Sequence, residues 1–315
     1  MWGGKTKKGG ANLRNYTNKS QRKTKSVSIS ISLFFLLVAS LFAVFSVSAS
    51  ASEPVAPVLV QGRAYETAAV KVRLDGRAIL EDQAVIIDSV TYVPVRRFSE
   101  IAGASSVSWN GNTRTATVKK GDLTVSIGEG KYYISANGRY FYTVEKILNL
   151  NGTLFVPIRP ICKAFSIDVG WNASTRTVEL TSTGKALQSG DSFYKSDEVY
   201  WLSRIINAEA GGEPFKGKIA VGNVVLNRVR SSSYPNTIYG VIFDRKNGTQ
   251  FSPVVYGTIY NSPNQDSVIA AKLCLEGYSL SDSILFFMNP RIATNNWISK
   301  NRPFAFRIGN HDFYY

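Results

Sequence analysis

One acidic residue in the C-terminal third of the chain lies where a helix should be buried. Apolar residues recur at helical spacing over 202–206, and continuing the same stripe by three or four residues reaches Glu209. A carboxylate on a buried face is costly to ionise, so it is either paired or its pKa is raised. A raised pKa is what a general acid needs near neutral pH. The alternative from periodicity alone is a glutamate at a fraying helix end, salt-bridged to Arg204 or Arg228.

Three further polar residues could support such chemistry. Glu213 follows Glu209 by four positions and is the candidate for a second carboxylate; its alternative role is structural, pairing with Lys216 or with a helix N-terminus. Gln250 and Asn289 carry amides, which suit hydrogen bonds to sugar hydroxyls and N-acetyl groups. The alternative for each amide is a turn or loop cap.

Metal chemistry is not expected. The chain has one histidine, His311, and two cysteines, Cys162 and Cys274, with no CxxC pair and no His/Cys cluster. Neither a zinc site nor any other cofactor is therefore predicted. The cysteines fall in different predicted domains, so free buried thiols are expected rather than a disulfide.

Glu209 has to be positioned by a helical region that follows a polar linker over residues 181–196. Ser196 or Asp197 is the predicted N-cap of its helix, and Gly211-Gly212 ends it. A later helix should start at a capping box of Ser262 and Gln265. The predicted elements are helices over 197–210, 214–229, 237–243 and 263–277, a buried strand over 284–288, and a hairpin over 304–315 that turns at 309–310.

The region before the linker contains an internal repeat. Val90–Arg96 is echoed by Thr153–Arg159, and Val107–Val118 by Val169–Leu180. Each copy shows a strand, a Val-Pro-hydrophobic-Arg step into a short helix, and a hairpin with a Trp-Asn turn. A spacing of about sixty residues predicts two copies of one small α+β unit packed together.

The first 51 residues read as an export signal. Basic residues are followed by the apolar stretch Leu33–Phe45 and then by small residues that end in Ala49–Ala51. This order is typical of a secretory signal peptide, and an uncleaved membrane anchor is the alternative. A short linker over 52–64 follows, and the rest of the chain is expected outside the cytoplasm.

Length and charge narrow the class of partner. The 315 residues allow roughly two domains. The formal charge is +15, but eight basic residues precede position 26, and from residue 52 onward 29 basic residues face 22 acidic ones. Such a mild excess suits an anionic polymer such as the cell wall. A nucleic-acid binder is not expected, because the charge is concentrated in the leader and no basic–aromatic module follows it.

Residues 197–315 contain six blocks on which a resemblance rests: Asn207–Pro214, Ala220–Val229, Tyr234–Ile242, Gln250–Pro253, Phe287–Pro290 and Ile308–His311. Together these blocks resemble the SleB-type cell wall hydrolase family. The resemblance implies a lysozyme-like α+β fold, action on peptidoglycan, and Glu209 as the catalytic residue; Gln250 and Asn289 fall in blocks that line the cleft. One departure is the strand before Asn289, where Phe286–Met288 replace tyrosines common in the family.

The resemblance implies cleavage between N-acetylmuramic acid and N-acetylglucosamine, with Glu209 acting first as acid and then as base in a lytic transglycosylase. A hydrolase would bring Glu213 into the mechanism as the second carboxylate. A non-catalytic wall-binding protein that keeps the fold is the alternative from another class. The sequence leaves open whether cortex or vegetative wall is the substrate, and it gives no oligomeric state.

Residues 65–180 resemble the copper amine oxidase N-terminal domain. The resemblance rests on the paired Val-Pro-x-Arg and Trp-Asn-x-x-Thr-Arg-Thr elements of the repeat. It implies an appended non-catalytic module, and no copper site is expected in it. Its expected role is to bind the wall or to act as a spacer, and a packing scaffold without a ligand is the alternative.

Overall fold

The structure, a computed structural model, describes residues 58–60, 63–65, 68–246 and 248–315. The predicted leader over 1–51 and most of the linker over 52–64 lie outside these residues. Among the residues that are described, no helix is long and apolar enough to cross a membrane. The described residues belong to one compact unit.

The N-terminal module is built from short strands and two short helices. Its elements are β1 (Val58–Val60), β2 (Arg63–Tyr65), β3 (Ala68–Ala69), β4 (Lys71–Leu74), β5 (Arg77–Ile79), β6 (Val85–Ile87), β7 (Val90–Pro94), α1 (Val95–Ile101), β8 (Ser106–Asn110), β9 (Thr115–Lys120), β10 (Leu123–Gly128), β11 (Tyr133–Ala136), β12 (Arg139–Tyr142), β13 (Leu148–Leu150), β14 (Thr153–Pro157), α2 (Ile158–Ala164), β15 (Ile167–Asn172) and β16 (Thr177–Ser182).

Two copies of the repeat unit face each other across a central strand pair. Strands β7 and β14 are antiparallel neighbours with Val93 opposite Val156, in a sheet ordered β13-β14-β7-β6-β3. Each strand ends in a proline that leads directly into a helix, Pro94 before α1 and Pro157 before α2. Proline fixes φ near the helical value and lacks an N–H, so it is well tolerated at a helix start. The predicted two-copy α+β unit is confirmed.

The hairpins of the two copies match in detail. The Asn110 side chain accepts hydrogen bonds from two backbone N–H groups of its own turn, and Asn172 does the same in the second copy. The residue that closes each turn, Arg114 or Arg176, has φ of 50°. The first hairpin continues into β10 in a sheet ordered β12-β11-β10-β9-β8, whereas the second pairs in parallel with β4.

The C-terminal part is mainly helical, with one small antiparallel sheet ordered β17-β19-β18. Its mixed α+β content agrees with the predicted class. The elements are α3 (Gly190–Phe193), α4 (Ser196–Ala210), α5 (Phe215–Arg230), α6 (Ile238–Phe243), α7 (Ser252–Tyr256), a 3₁₀ helix (Thr258–Tyr260), α8 (Gln265–Leu275), β17 (Phe286–Met288), α9 (Trp297–Asn301), β18 (Phe304–Ile308) and β19 (His311–Tyr314).

Helices α4, α5 and α8 enclose the core of this part. Leu202, Ile205 and Ile206 of α4 are fully buried, as the helical stripe predicts. The three helices pack closely at Gly222 of α5, where a Cβ atom would lie 2.7 Å from the Cys274 sulfur and 2.9 Å from a methyl group of Ile206. Only a residue without a side chain fits there. Both cysteines, Cys162 and Cys274, are buried free thiols, which confirms that prediction.

Several predicted boundaries are wrong by a few residues. The N-cap of α4 is Lys195, because the helix already includes Ser196. Helix α8 begins at Gln265 rather than at the predicted capping box, since the Asn264 side chain accepts the N–H of Ser267 and is the true N-cap. Strand β17 is two residues shorter at its start than predicted. The short helices α3, α7 and α9 were not predicted.

The module and the C-terminal part are joined by a buried ion pair. Arg139 of β12 donates two hydrogen bonds of 2.7 Å to the Glu276 carboxylate, which follows α8. The Tyr194 hydroxyl donates to the same carboxylate at 2.9 Å. Beside this pair, the rings of Tyr142 and Tyr278 stack with centroids 3.7 Å apart. The Glu276 carboxylate is only 3% exposed, and Lys163, 3.5 Å away, is its second cation. Removing Glu276 would therefore leave the buried Arg139 guanidinium without an ionic partner among the described residues, whereas removing Arg139 would leave the carboxylate with the more exposed Lys163.

We expect Gly222→Ala to lower the free energy of unfolding by about 1–3 kcal/mol, because the added methyl group overpacks the contact of three helices. Gly212→Ala is the matched control, since no atom lies within 4 Å of its would-be Cβ. Urea unfolding of the two variants measures the difference. Equal stabilities would contradict the close helix contact.

Candidate active site

Glu209 lies in the last turn of α4 with its side chain partly buried. Burial raises its pKa to about 7, while the positive charge of Arg228 acts in the opposite direction. No ion pair within 4.0 Å joins Glu209 to an arginine among the described residues. The carboxyl group is therefore poised to be either protonated or ionised near neutral pH, as a group that both gives and takes a proton must be.

A buried lysine holds the backbone that follows Glu209. Lys218 of α5 is 4% exposed, and its ammonium donates to the carbonyl oxygens of Ala210, at 2.8 Å, and of Gly211. These carbonyls end α4 and have no partner within the helix, so a cation there satisfies them and complements the helix dipole. On the other side, the Asn207 side chain accepts the N–H of Asn264 at 3.0 Å. The end of α4 is thus tied to both α5 and α8.

Arg228 connects Glu209 to two other segments of the predicted site. It is 5% exposed, and its Nε donates to the carbonyl oxygen of Leu285 at 2.8 Å, just before β17. One terminal nitrogen donates to the Gln250 side-chain oxygen at 3.4 Å. The guanidinium also lies over the rings of Tyr234 and Phe251, 5.1 and 5.2 Å from their centroids. Arg228 is therefore hydrogen-bonded to Gln250 and close enough to Glu209 for its charge to lower the pKa of that carboxyl group.

Two buried asparagines of α5 hold the loop that leads into β17. Asn223 donates to the carbonyl oxygen of Tyr278 and accepts the N–H of Leu280, both at 2.9 Å. One turn later, Asn227 donates to the carbonyl oxygens of Ser281 and Ile284. Each amide satisfies backbone groups that would otherwise be buried without partners. The polar residues of α5 therefore serve the loops around the site.

Glu213 is held by the turn of the C-terminal hairpin, not by Lys216. Its two carboxylate oxygens accept from the backbone N–H of Asn310, at 2.9 Å, and from the Asn310 side chain, at 3.0 Å. Desolvation alone would raise the pKa of Glu213, but the hydrogen bonds from Asn310 outweigh it, and the pKa is lowered. Gly309 has a φ of 59° and carries no side chain that would strike this carboxylate.

The structure gives Asn289 the role of a turn cap. Its side-chain oxygen accepts the N–H of Arg291 at 3.0 Å, and its carbonyl oxygen accepts the N–H of Ala293 at 3.0 Å. Among the described residues, no hydrogen bond joins Asn289 to Glu209 or Gln250. The Asn289 side-chain nitrogen has no hydrogen bond to another described residue, so it is free for a ligand.

His311 is buried among aromatic rings at the start of β19. Its ring lies 5.3 Å from that of Phe287 and 6.2 Å from that of Phe313, both edge to face. Desolvation lowers the pKa of His311, in spite of the nearby carboxylates of Glu213 and Asp312. A neutral imidazole that packs against two phenylalanines is consistent with structural support. No group of three or more His, Cys, Asp or Glu side chains in the described ranges is arranged to hold a metal ion.

An aromatic surface lies beside α4. The Trp201 ring contacts Tyr239 of α6 at 5.3 Å and Tyr260 at 6.3 Å between centroids. Tyr239 and Tyr260 are 54% and 59% exposed, so their faces are open to solvent. Exposed aromatic rings with polar tips suit the apolar faces of sugars. Trp297 lies on α9 beside Phe286 and Arg302.

Sequence reasoning missed the two buried cations, Lys218 and Arg228, as parts of the site. Arg228 entered only as a salt-bridge partner for Glu209. The available signal was a charged residue on the apolar stripes of α5, the same kind of signal that singled out Glu209. It was passed over because long basic side chains usually reach solvent from such positions.

Two family models match the chain. Residues 212–314 match the Cell Wall Hydrolase model, and residues 73–180 match the Copper amine oxidase N-terminal domain model. Glu209 lies three residues before the first of these ranges. The match to the second model agrees with the resemblance recognised in the repeat.

The relatives of the C-terminal part are spore cortex-lytic enzymes. Those of Bacillus cereus and Bacillus subtilis (strain 168) are 37% and 36% identical over 120 residues, which is 38% of this chain and 45% and 38% of theirs. The chain thus spans less than half the length of these curated relatives. A solved structure, the catalytic domain of the germination-specific lytic transglycosylase SleB from Bacillus anthracis, is 35% identical over 41% of this chain and all of that domain, with a TM-score of 0.36.

The raised pKa of Glu209 predicts a stability that falls as pH rises. The folded state holds the proton up to about pH 7, whereas the unfolded chain loses it near 4.5, so stability is lost between these values. By pH 8 the loss is about 3 kcal/mol. The side-chain amide of Glu209→Gln is neutral at every pH. The free energy of unfolding of this variant minus that of the wild type should therefore increase from pH 4 to pH 8, as measured by urea unfolding.

Glu213→Gln, four residues further along the chain, is the matched control. Its free energy of unfolding relative to the wild type should change with pH in the opposite direction. A lowered pKa stabilises the fold above the unfolded pKa, and this contribution is lost as pH falls through the folded one. The substitution should therefore destabilise the protein at pH 8 and cost less at acid pH. A Glu209→Gln variant with the same pH trend would contradict the assignment.

Proposed function

We propose that this chain, which belongs to the cell wall hydrolase family through its C-terminal domain, degrades peptidoglycan and cleaves the bond between N-acetylmuramic acid and N-acetylglucosamine as a lytic transglycosylase. The observation that carries the proposal is the Glu209 carboxyl group, half-buried at the end of α4 with its pKa raised to about 7. The names of the relatives, spore cortex-lytic enzymes and a lytic transglycosylase, support this choice of substrate and reaction.

A single carboxyl group of this kind can carry out both proton transfers of the reaction. Protonated Glu209 donates its proton to the bridging oxygen as the glycosidic bond breaks, which releases N-acetylglucosamine with a free hydroxyl group. The carboxylate then removes the proton from the 6-hydroxyl of the same N-acetylmuramic acid. That oxygen attacks the anomeric carbon and closes a 1,6-anhydro ring, so no water is consumed and Glu209 ends protonated.

The environment of Glu213 favours the transglycosylase over a hydrolase. A hydrolase of the two-carboxylate kind needs a second carboxylate that acts as a base or nucleophile. Both oxygens of Glu213 already accept hydrogen bonds from Asn310, and these bonds fix the C-terminal hairpin against the loop that follows Glu209. We therefore assign Glu213 to holding the site together and give the proton chemistry to Glu209 alone.

The remaining residues of the site suit substrate binding. Gln250 contacts Arg228 through its side-chain oxygen, and its side-chain nitrogen donates to the carbonyl oxygen of Gly248 at 3.1 Å, so it is held in place. We assign Gln250 and the free side-chain nitrogen of Asn289 to hydrogen bonds with sugar hydroxyls and N-acetyl groups. The open rings of Tyr239 and Tyr260 offer stacking surfaces for a glycan strand.

Export belongs to the same proposal. Peptidoglycan lies outside the cytoplasm, and the leader over 1–51 has the order of charge, apolar run and small residues that a secretory signal has. The protein is therefore secreted or wall-associated, and it is either cut from its leader or anchored through it. Cortex peptidoglycan is the first substrate to test, because the relatives are named for it.

We expect Glu209→Gln to lower the rate of peptidoglycan digestion by on the order of 100- to 10,000-fold, the usual contribution of a general acid–base residue. Mass spectrometry of the released muropeptides should show 1,6-anhydro ends from the wild type. Glu213→Gln should retain the anhydro product. Reducing ends from the wild type would contradict the transglycosylase. Binding without any product, on cortex or vegetative wall, would instead support a non-catalytic wall-binding protein.

The acid role of Glu209 predicts a fall in activity above about pH 7, since the proton needed for the first step is lost there. Arg228 lowers this pKa through its charge, so Arg228→Gln should move the alkaline limb of the kcat/KM profile to higher pH, and Arg228→Lys should move it less. Profiles measured on a soluble glycan fragment check this. An alkaline limb that stays in place in Arg228→Gln would contradict the coupling of the two side chains.

A further inference from the structure

The repeat module contains two equivalent clefts at equivalent places in its two copies. Each lies between the arginine of the Val-Pro-x-Arg step and the tryptophan of the following hairpin: Arg96 and Trp109 in one copy, Arg159 and Trp171 in the other. The third wall of each cleft comes from the other copy, 152–154 for the first and 89–91 for the second. This exchange follows from the antiparallel pairing of β7 with β14, which places the start of each strand beside the end of its partner.

The two clefts differ in size. The cleft at Trp171 has a volume of about 520 Å³, and the one at Trp109 about 180 Å³. Small-ligand sites in proteins are usually clefts of about 300–1,000 Å³, so the Trp171 cleft alone falls in the range for a sugar or two. It also shares Val144, Arg159 and Pro160 with a crevice that reaches Tyr278 of the C-terminal part.

The groups that line the Trp171 cleft define the chemistry of its ligand. The indole of Trp171 is 48% exposed although it is large and apolar, so one face is open for stacking. Arg159 is exposed and has no hydrogen bond or ion pair with any other described residue, whereas Arg96 of the smaller cleft lies 4.0 Å from Glu100. Ser89 and Thr91 supply hydroxyl groups, and none of the described residues that line the cleft is acidic.

Ser89 adds an observation from the backbone. It has a φ of 66° in the turn between β6 and β7, where the second copy has Gly152 with a φ of 84°. A serine in the left-handed region costs free energy that glycine avoids. The copy that lines the larger cleft therefore carries a hydroxyl group at a position where glycine would be more stable.

We propose that the Trp171 cleft binds a carboxylate-bearing unit of a peptidoglycan glycan strand, with the indole on the sugar face and Arg159 on a free carboxylate of the muramic acid or of the peptide attached to it. The identification of the ligand as a wall glycan rests on the proposed function, whereas the description of the cleft does not depend on it. One guanidinium fork matches one carboxylate. A polyphosphate-type polymer would call for a row of cations, and among the described residues that line the cleft Arg159 alone is charged. The module is basic as a whole, with 14 Lys and Arg against 10 Asp and Glu over 68–183.

Sedimentation with purified, insoluble peptidoglycan tests the site. The full chain is used with Glu209→Gln as the common background, so that the wall stays intact and a failure of binding is distinguished from a failure of cleavage. Trp171→Ala should weaken the apparent Kd by ~10-fold, the scale for truncating an aromatic anchor of a binding site. Trp109→Ala, in the equivalent turn and 45% exposed, is the matched control and should change it less than about 2-fold.

Arg159→Gln provides a second variant that leaves the hairpin intact. It should weaken binding several-fold and reduce the dependence of the Kd on salt, because it removes the charge that a carboxylate would pair with. Both effects should persist on peptidoglycan stripped of phosphate-containing polymers. Thermal unfolding of each variant checks that the module remains folded.

Equal losses for Trp171→Ala and Trp109→Ala would overturn the proposal. Loss of binding when the phosphate-containing polymers are stripped would also overturn it, because the ligand would then be a different polymer. If neither Trp171→Ala nor Arg159→Gln changed binding, the proposal would also be overturned. The cleft would then be expected to bind something else, such as the N-terminal segment of this chain.

Discussion

The C-terminal domain depends on holding one carboxyl group, that of Glu209, largely out of water at the end of a helix. Burial raises its pKa to about 7, so at neutral pH part of the population carries a charge in a site that disfavours it. Among the described residues no direct ion pair forms with this carboxyl group, and three side chains organise its surroundings. Arg228 contributes its charge, Lys218 satisfies the carbonyl oxygens that end α4, and Asn207 ties the same turn to α8. A tighter pairing would stabilise the ionised form and remove the acid.

Helix α5 connects the surroundings of Glu209 to the rest of the domain. Its small and apolar residues pack against α4 and α8, and its buried polar residues each serve a loop. Lys218 holds the end of α4, Asn223 and Asn227 hold the loop before β17, and Arg228 joins Gln250 and Leu285 to the neighbourhood of Glu209. The site is therefore built by the side chains of a rigid helix, while several of the groups proposed to contact substrate lie on the segments that it secures.

The sequence predicted the parts of this arrangement that depend on local patterns. The stripe of α4 located Glu209, the helix predicted over 237–243 is present as α6, and the internal repeat anticipated two matching strand–helix–hairpin units. It could not predict contacts that depend on tertiary neighbours. Asn264 rather than Ser262 is the N-cap of α8, because the backbone N–H of Asn264 donates to the Asn207 side chain. Glu213 accepts hydrogen bonds from Asn310, 97 positions away, instead of pairing with Lys216. The role of Arg228 was hidden for the same reason, since its partners come from three separate segments.

Direct titration of the Glu209 carboxyl group tests this account most directly. Carbon-13 NMR of the full chain with labelled glutamate side chains, assigned by the signal that disappears in Glu209→Gln, reports its protonation without substrate. The account predicts a midpoint near pH 7, set by burial and opposed by Arg228. A midpoint near 4.5, the value of an ordinary glutamate, would contradict it, because a carboxyl group already ionised at neutral pH could not supply the first proton.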